Sequence, residues 1–341
     1  MTSPSPARRR PRAVAAAVLL LALVAAWGMT TFGGGPAAAQ GNDGSSGLVV
    51  VTSDQVTEAE NAAADAEMNA WKAAVLGVVE GVTEYLPISS TGHLVVTQRI
   101  LGIGDDDATK DAADSYAIAI QFGAILAVFI LYWQRIVSLV QGLLGRDEEG
   151  RRLLIALVLA FLPAVVVGVA LESTIKDHLF GTWPVIAAWT VGGLLILWVA
   201  PKIRPGRPGL GITDLTWRHG LIIGVAQVLA MWPGTSRSLV TILAALAVGA
   251  SLAAAVEFSF LLGLATLSAA TMYESAKSGS DVIDAYGWVD PLVGMVAAFI
   301  AAVVAIRWMV SWLQTRSLAV FGWERLAAAA ITIVLLATSV I

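Results

Sequence analysis

Six stretches of this chain, at 116–133, 153–171, 184–200, 252–272, 291–306 and 322–341, are apolar and long enough to cross a bilayer. A hydrocarbon core about 30 Å thick needs about 20 apolar residues per helix, and it forces each backbone N–H and C=O to find a partner within its own segment. A chain under that constraint folds as an all-α integral membrane protein. Composition agrees: of 341 residues, 57% are hydrophobic, 13% are charged and none is cysteine. Those values exclude a disulfide-stapled secreted domain, a thiolate metal site, a disordered polymer and a basic nucleic-acid binder. The net charge of −4 carries little information, because in a membrane protein the distribution of cations among loops sets orientation.

That distribution alternates. Segments 134–152, 201–218 and 307–325 hold eleven Lys and Arg, whereas 98–115, 172–183 and 273–290 hold four and are rich in Asp and Glu. The first set is therefore expected in the cytoplasm and the second outside. The N-terminus gives the same orientation independently. Arg8, Arg9, Arg10 and Arg12 precede an apolar run from Ala13 to Trp27, and small residues follow at Pro36–Gln40. Residues 1–39 thus read as a signal peptide or N-terminal anchor. Residues 40–70 then form an exported polar extension whose part 57–70 suits a short acidic surface helix, and 71–341 is the membrane domain.

Two further apolar stretches, 71–101 and 220–250, must each begin and end on one face if the charge alternation is to hold. Both are broken in the middle by Pro, Gly and hydroxyl residues, so both are expected to be re-entrant helical hairpins. At an offset of 147, Gly77-Val78-Val79-Glu80 falls on Gly224-Val225-Ala226-Gln227, and Ser89-Ser90-Thr91 on Ser236-Arg237-Ser238. The first hairpin would enter from outside and the second from inside. This is an inverted-topology repeat, a design in which broken helices meet near the midplane and build a polar site.

Charges inside a membrane are expensive and mark function by default. Arg237 is the one Lys or Arg placed deep within an apolar hairpin, and Glu80, Glu84 and Glu257 are the acids similarly placed. Of the histidines, His93 lies in the first hairpin, while His178 and His219 are in or beside loops. Glu80 and Glu84, spaced i, i+4, share one helical face and repel unless a cation or proton sits between them. A divalent metal, Mg²⁺ or Ca²⁺, resolves this with oxygen ligands and water; one protonated carboxyl, or both snorkelling to an interface, is the bland alternative.

Pro87-Ile88-Ser89-Ser90-Thr91-Gly92-His93 follows this pair. Its hydroxyls and glycine suit a loop that offers N–H and O–H donors to an anion, and His93 is close enough along the chain to orient or deprotonate Ser90. An ordinary helix break with an N-cap has the same composition. In Trp232-Pro233-Gly234-Thr235-Ser236-Arg237-Ser238, the guanidinium forks onto phosphate oxygens, with Gly234, Thr235 and Ser236 beside it. A structural ion pair from Arg237 to Glu80, Glu84 or Glu257 is the alternative, and Glu257 is either a site member or a supporting partner.

The run from Glu80 to His93 and the run from Trp232 to Ser238 resemble the two signature motifs of the undecaprenyl-diphosphate phosphatase family, the bacitracin-resistance membrane phosphatases. Glu257-Phe258-Ser259-Phe260-Leu261-Leu262 is similar to a third family segment, and the likeness covers residues 70 to 341. It implies metal-dependent hydrolysis of undecaprenyl diphosphate to the monophosphate at the external face of the bacterial plasma membrane. Such an enzyme recycles the lipid carrier for cell-wall synthesis and confers bacitracin resistance. By position, Glu80 and Glu84 match the acidic pair, Ser90 and His93 the proposed catalytic residues, and Arg237 the phosphate-binding arginine. The chain departs from the family at Leu239-Val240, where Gly-Ala is usual, and in its N-terminal extension.

The expected mechanism places metal at Glu80 and Glu84 with Arg237 opposite. Ser90 is the favoured nucleophile, His93 assists proton transfer, and Glu84 or His93 is the base; attack by a metal-bound water is the alternative. Ser89, Thr91, Gly234, Thr235 and Ser236 would bind the phosphates. The lipid-phosphatase superfamily, which shares Gly-His and Ser-Arg elements, requires a histidine after the arginine, and none follows Arg237. A polyprenyl-phosphate carrier or flippase using the same site is the rival of another class. A homodimer is left open.

Overall fold

The computed structural model describes residues 68–338 apart from 105, 106, 180, 204 and 205; for 107, 108, 171–179 and 277–281 it describes the backbone alone. The leader expected over 1–39, and the extension up to residue 67, lie outside the described residues. Those described are helical almost throughout, with one isolated β-bridge between Leu210 and Ala250.

Among the described residues, six helices are long and apolar enough to cross a membrane: α3 (Asp107–Leu131), α5 (Glu148–Leu179), α6 (Thr182–Val199), α9 (Leu252–Tyr286), α10 (Val289–Thr315) and α11 (Ala319–Ala337). They coincide with the six segments expected from hydropathy. Their lipid-facing sides carry residues such as Val166, Val191, Val304 and Ile331, each more than half exposed. Exposed apolar surface of that extent belongs to a chain whose solvent is lipid. The segment 134–152, expected as a loop, contains helix α4 (Trp133–Leu143).

Each of the two interrupted stretches is a short helix, a break and a second short helix. The first runs α1 (Ala70–Thr83), break, α2 (Ser90–Leu101); the second runs α7 (Trp217–Gln227), a 3-10 turn and break, α8 (Arg237–Ala247). Asn69 opens α1 by accepting the Lys72 amide at 3.1 Å. Ser236 opens α8 by accepting the Leu239 amide at 3.3 Å, satisfying donors that a helix start leaves bare.

The 147-residue offset reappears in the backbone. Ser89 (φ 77°) and Ser236 (φ 73°) are the two non-glycine residues with positive φ among those described, and each immediately precedes the second helix of its interrupted stretch. A serine there is sterically strained, at about 1–3 kcal/mol each, so the surroundings must hold both breaks in place. Both first helices also use small residues for close approach. A Cβ on Gly77 or Gly81 would strike the backbone of α10 at Gly294 and Ala298, and one on Gly220 or Gly224 would strike α5 at Ala156 and Ala160. Contact through small residues suits helix packing where no hydrophobic force draws helices together.

Candidate active site

Consecutive carbonyls of the first break have no helical partner, and each is taken by a side chain from elsewhere. Ser238 on α8 donates to Leu86 O at 2.7 Å, Arg325 on α11 to Pro87 O at 3.4 Å, and the Trp189 indole on α6 to Ile88 O at 2.9 Å. The Ser89 carbonyl faces His93 Nδ1 at 2.7 Å. Buried backbone groups must be paired, so this loop takes its shape from three separate helices.

Arg325 also reaches the second break, donating to Gly234 O at 2.7 Å and to Ala188 O and Trp189 O at 2.8 and 3.4 Å. Its guanidinium therefore ties both breaks together. Here the structure corrects the sequence reading: Arg237 is not alone among cations deep in the protein. Arg325, counted from sequence with the loop 307–325, is fully buried (0% exposed). It lies two turns into the last helix, where a hydropathy profile reads it as a flanking charge.

Between the breaks lies the polar cluster. The Ser90 hydroxyl donates to Glu84 Oε2, and Arg237 Nη2 donates to Glu84 Oε1 at 3.1 Å. Arg237 Nη1 donates to the Ser259 carbonyl at 3.1 Å, and its guanidinium lies 5.5 Å from the Tyr85 ring centre. The Arg237 side chain is 13% exposed and that of Glu84 is 6%. Ser90 and Arg237 are the first residues of α2 and α8. Both therefore sit where bare amides and the helix dipole favour an anion.

Glu80, one turn earlier on α1, is buried at 1% exposure. It takes a hydrogen bond from Gln121 on α3, whose own carbonyl accepts from Thr271 at 3.1 Å. Its Oε1 is buried with no partner among the described residues. Two buried carboxylates thus face one guanidinium, and the excess negative charge calls for a proton or a cation. No group of three His, Cys, Asp or Glu among the described residues forms a complete metal cage.

One expected pairing changes. The spacing of Ser90 and His93 suggested a hydroxyl–imidazole pair, but the Ser90 hydroxyl meets Glu84, while His93 Nε2 lies 2.8 Å from Glu324 Oε1 on α11. The imidazole packs against Trp189, whose ring centre is 4.8 Å away. Glu257, left open from sequence, pairs with Arg135 on α4 at 2.7 Å. The Arg237 ion pair weighed as an alternative is present, with Glu84 as its partner. His219 caps its own helix, accepting the Thr216 amide at 3.1 Å.

The family model described as Bacitracin resistance protein BacA matches residues 73–331, a range that includes both breaks, Glu257 and Arg325. The chain belongs to this family. Curated BacA-family relatives agree over most of their length. The undecaprenyl-diphosphatase of Sorangium cellulosum is 43% identical over 76% of this chain and 84% of its own. Undecaprenyl-diphosphatase 2 of Rhodospirillum rubrum is 43% identical over 75% and 91%, and the undecaprenyl-diphosphatase of Variovorax paradoxus 43% over 79% and 94%. Membership in the BacA family and six apolar helices make this chain a multi-pass bacterial membrane protein. Sequence reasoning missed Arg325, Glu324, Gln121 and Trp189 as neighbours of the site. The signal for the first two was a charged pair inside an apolar run that continues to residue 341.

Proposed function

We propose that this chain hydrolyses undecaprenyl diphosphate to undecaprenyl phosphate and inorganic phosphate. One observation carries the reading: a serine hydroxyl is bonded to a buried carboxylate whose other oxygen is bonded to an arginine. A hydroxyl is a weak nucleophile at its free pKa and needs an adjacent base. Glu84 is placed to take the proton as Ser90 Oγ attacks the terminal phosphorus. Arg237 then turns from Glu84 to the transferred phosphoryl group, whose charge spreads over its equatorial oxygens. Amides at the starts of α2 and α8, with Ser89, Thr91, Gly234, Thr235 and Ser236 around them, hold the diphosphate. A carrier would need the phosphate-binding groups but not the hydroxyl–carboxylate pair.

The unpartnered Glu80 oxygen fits a hard divalent cation, Mg²⁺ or Ca²⁺. Glu80 and Glu84 would hold it, with waters and substrate oxygens completing the shell. When bound, such an ion supplies charge neutralisation of the diphosphate. The isoprenyl chain fits the apolar groove of about 850 Å³ between α6, α7 and α8, where Thr235, two residues before Arg237, is part of the lining. The cation-rich segments, expected in the cytoplasm, support a site that opens to the exterior.

The test is phosphate release from undecaprenyl diphosphate by detergent-purified protein. Arg237→Ala and Glu84→Ala should each nearly abolish it while the fold persists, and chelation should silence the wild type until Mg²⁺ or Ca²⁺ returns. Near-normal turnover in either variant overturns the assignment.

A further inference from the structure

We infer that Glu324 is the positioning residue that keeps a proton on His93, making the two side chains one proton-donating unit at the edge of the site. The inference rests on the proposed phosphatase reading for its role but not for its existence.

The argument is one of donors and acceptors. His93 Nδ1 lies 2.7 Å from the Ser89 carbonyl. A carbonyl oxygen only accepts, so Nδ1 carries a hydrogen. Nε2 lies 2.8 Å from Glu324 Oε1. If the carboxylate is ionised, Nε2 must donate and the ring is an imidazolium; if Nε2 is bare, Glu324 must be the acid. In both cases one proton lies between the two groups, and because a carboxylic acid is a stronger acid than an imidazolium, that proton rests on the ring. A histidine meant to act as the base on Ser90 would present a bare nitrogen to that hydroxyl, whereas here both ring nitrogens are engaged elsewhere.

The surroundings hold this arrangement. Glu324 Oε2 is buried without a partner among the described residues, so His93 is the carboxyl group's hydrogen-bonding contact. From α11 the other charged neighbour is Arg325, directed onto the carbonyls of both breaks. From α6 the neighbour is the uncharged Trp189 ring. In the first break Glu84 is committed to Ser90 and Arg237. Along α2 the further charged residue is Arg99, in the last turn. The imidazole side chain is 20% exposed, enough to meet a ligand.

The chemistry then divides between two acid–base groups. As Ser90 Oγ bonds to the terminal phosphorus, its proton passes to Glu84. The bridging P–O bond breaks, and the proton of the His93–Glu324 unit goes to the departing lipid-phosphate oxygen. Water then attacks the phosphoserine, giving one proton back to His93, while the Ser90 oxygen leaves with the proton held by Glu84. Inorganic phosphate departs and the starting protonation is restored.

Two variants of the full chain test this: the near-isosteric Glu324→Gln, whose amide accepts or donates and so no longer requires the proton, and Glu324→Asp, which is one methylene shorter but retains the charge. In the wild type, ¹⁵N spectra of detergent-purified protein at neutral pH should show His93 with neither ring nitrogen bare, the signal assigned by its loss in His93→Asn. In Glu324→Gln one nitrogen should become bare, and phosphate release should be lost more at alkaline than at acid pH. Turnover at neutral pH should fall about tenfold and partly recover in acid, and Glu324→Asp should restore part of both readouts. Unchanged ¹⁵N signals in Glu324→Gln, or an equal loss of turnover at every pH, overturns the inference. An inactive wild type defeats the phosphatase reading instead, and the ¹⁵N measurement still decides the role of Glu324.

Discussion

Replacing Arg325 with Met removes, in one step, every donor that links the two breaks through α11. The guanidinium is fully buried and donates to four backbone carbonyls, two at 2.7 and 2.8 Å and two at 3.4 Å. A hydrogen bond from a charged donor contributes about 1.5–3 kcal/mol, so the two short ones alone contribute about 3–6 kcal/mol. Relief from burying a cation, itself worth several kcal/mol, offsets part of this and leaves a net loss of about 2–4 kcal/mol. At about 2–4 °C per kcal/mol for chains of this order of size, Tm should fall by roughly 4–16 °C. Turnover should fall further than stability does, because a misplacement of about 1 Å at a reacting centre can cost about a hundredfold. Thermal unfolding in detergent and phosphate release on the same preparation read the two effects. Arg325→Lys, a point charge that cannot span both breaks, should fall between. A Met variant that melts within about 2 °C of the wild type and releases phosphate at the normal rate would show that the breaks hold their shape without this tie.

Two further outcomes follow from packing. A Cβ on Gly263 would meet the Arg237 guanidinium, so Gly263→Ala should lower phosphate release by about tenfold or more. Its Tm should fall less than turnover does, because the gain of about 1 kcal/mol from Ala in a helix offsets part of the cost of displacing Arg237 from Glu84; full activity would mean Arg237 is not confined as described. Glu257→Gln breaks only the pair with Arg135, whose side chains are 24% and 29% exposed. It should lower stability by about 1 kcal/mol or less and leave turnover within about twofold, whereas a collapse like that of Glu84→Ala would return Glu257 to the site.

The six spans were legible because hydropathy over a bilayer's thickness is a local property of the chain. The polar pair on α1 and the arginine at the start of α8 were legible because charge inside an apolar run is too costly to be accidental. The internal repeat was faint in residue identity, yet the two strained serines at 89 and 236 occupy the same place in each copy. Backbone form persists in such a repeat because equivalent breaks must be closed in equivalent ways.

Which groups share protons and carbonyls was decided only in three dimensions. Spacing along the chain favoured His93 as the partner of Ser90, but the turn of α2 carries the imidazole to Glu324, 231 residues away. The hydroxyl meets the carboxylate of the preceding helix instead. Arg325 is a flanking charge by sequence and a buried brace in the fold, because the bare carbonyls it satisfies come from segments far from it in the chain. Hydrophobicity is summed locally and so can be read from the sequence. The pairing of buried polar groups depends on which helices pack side by side, and tertiary structure alone determines that.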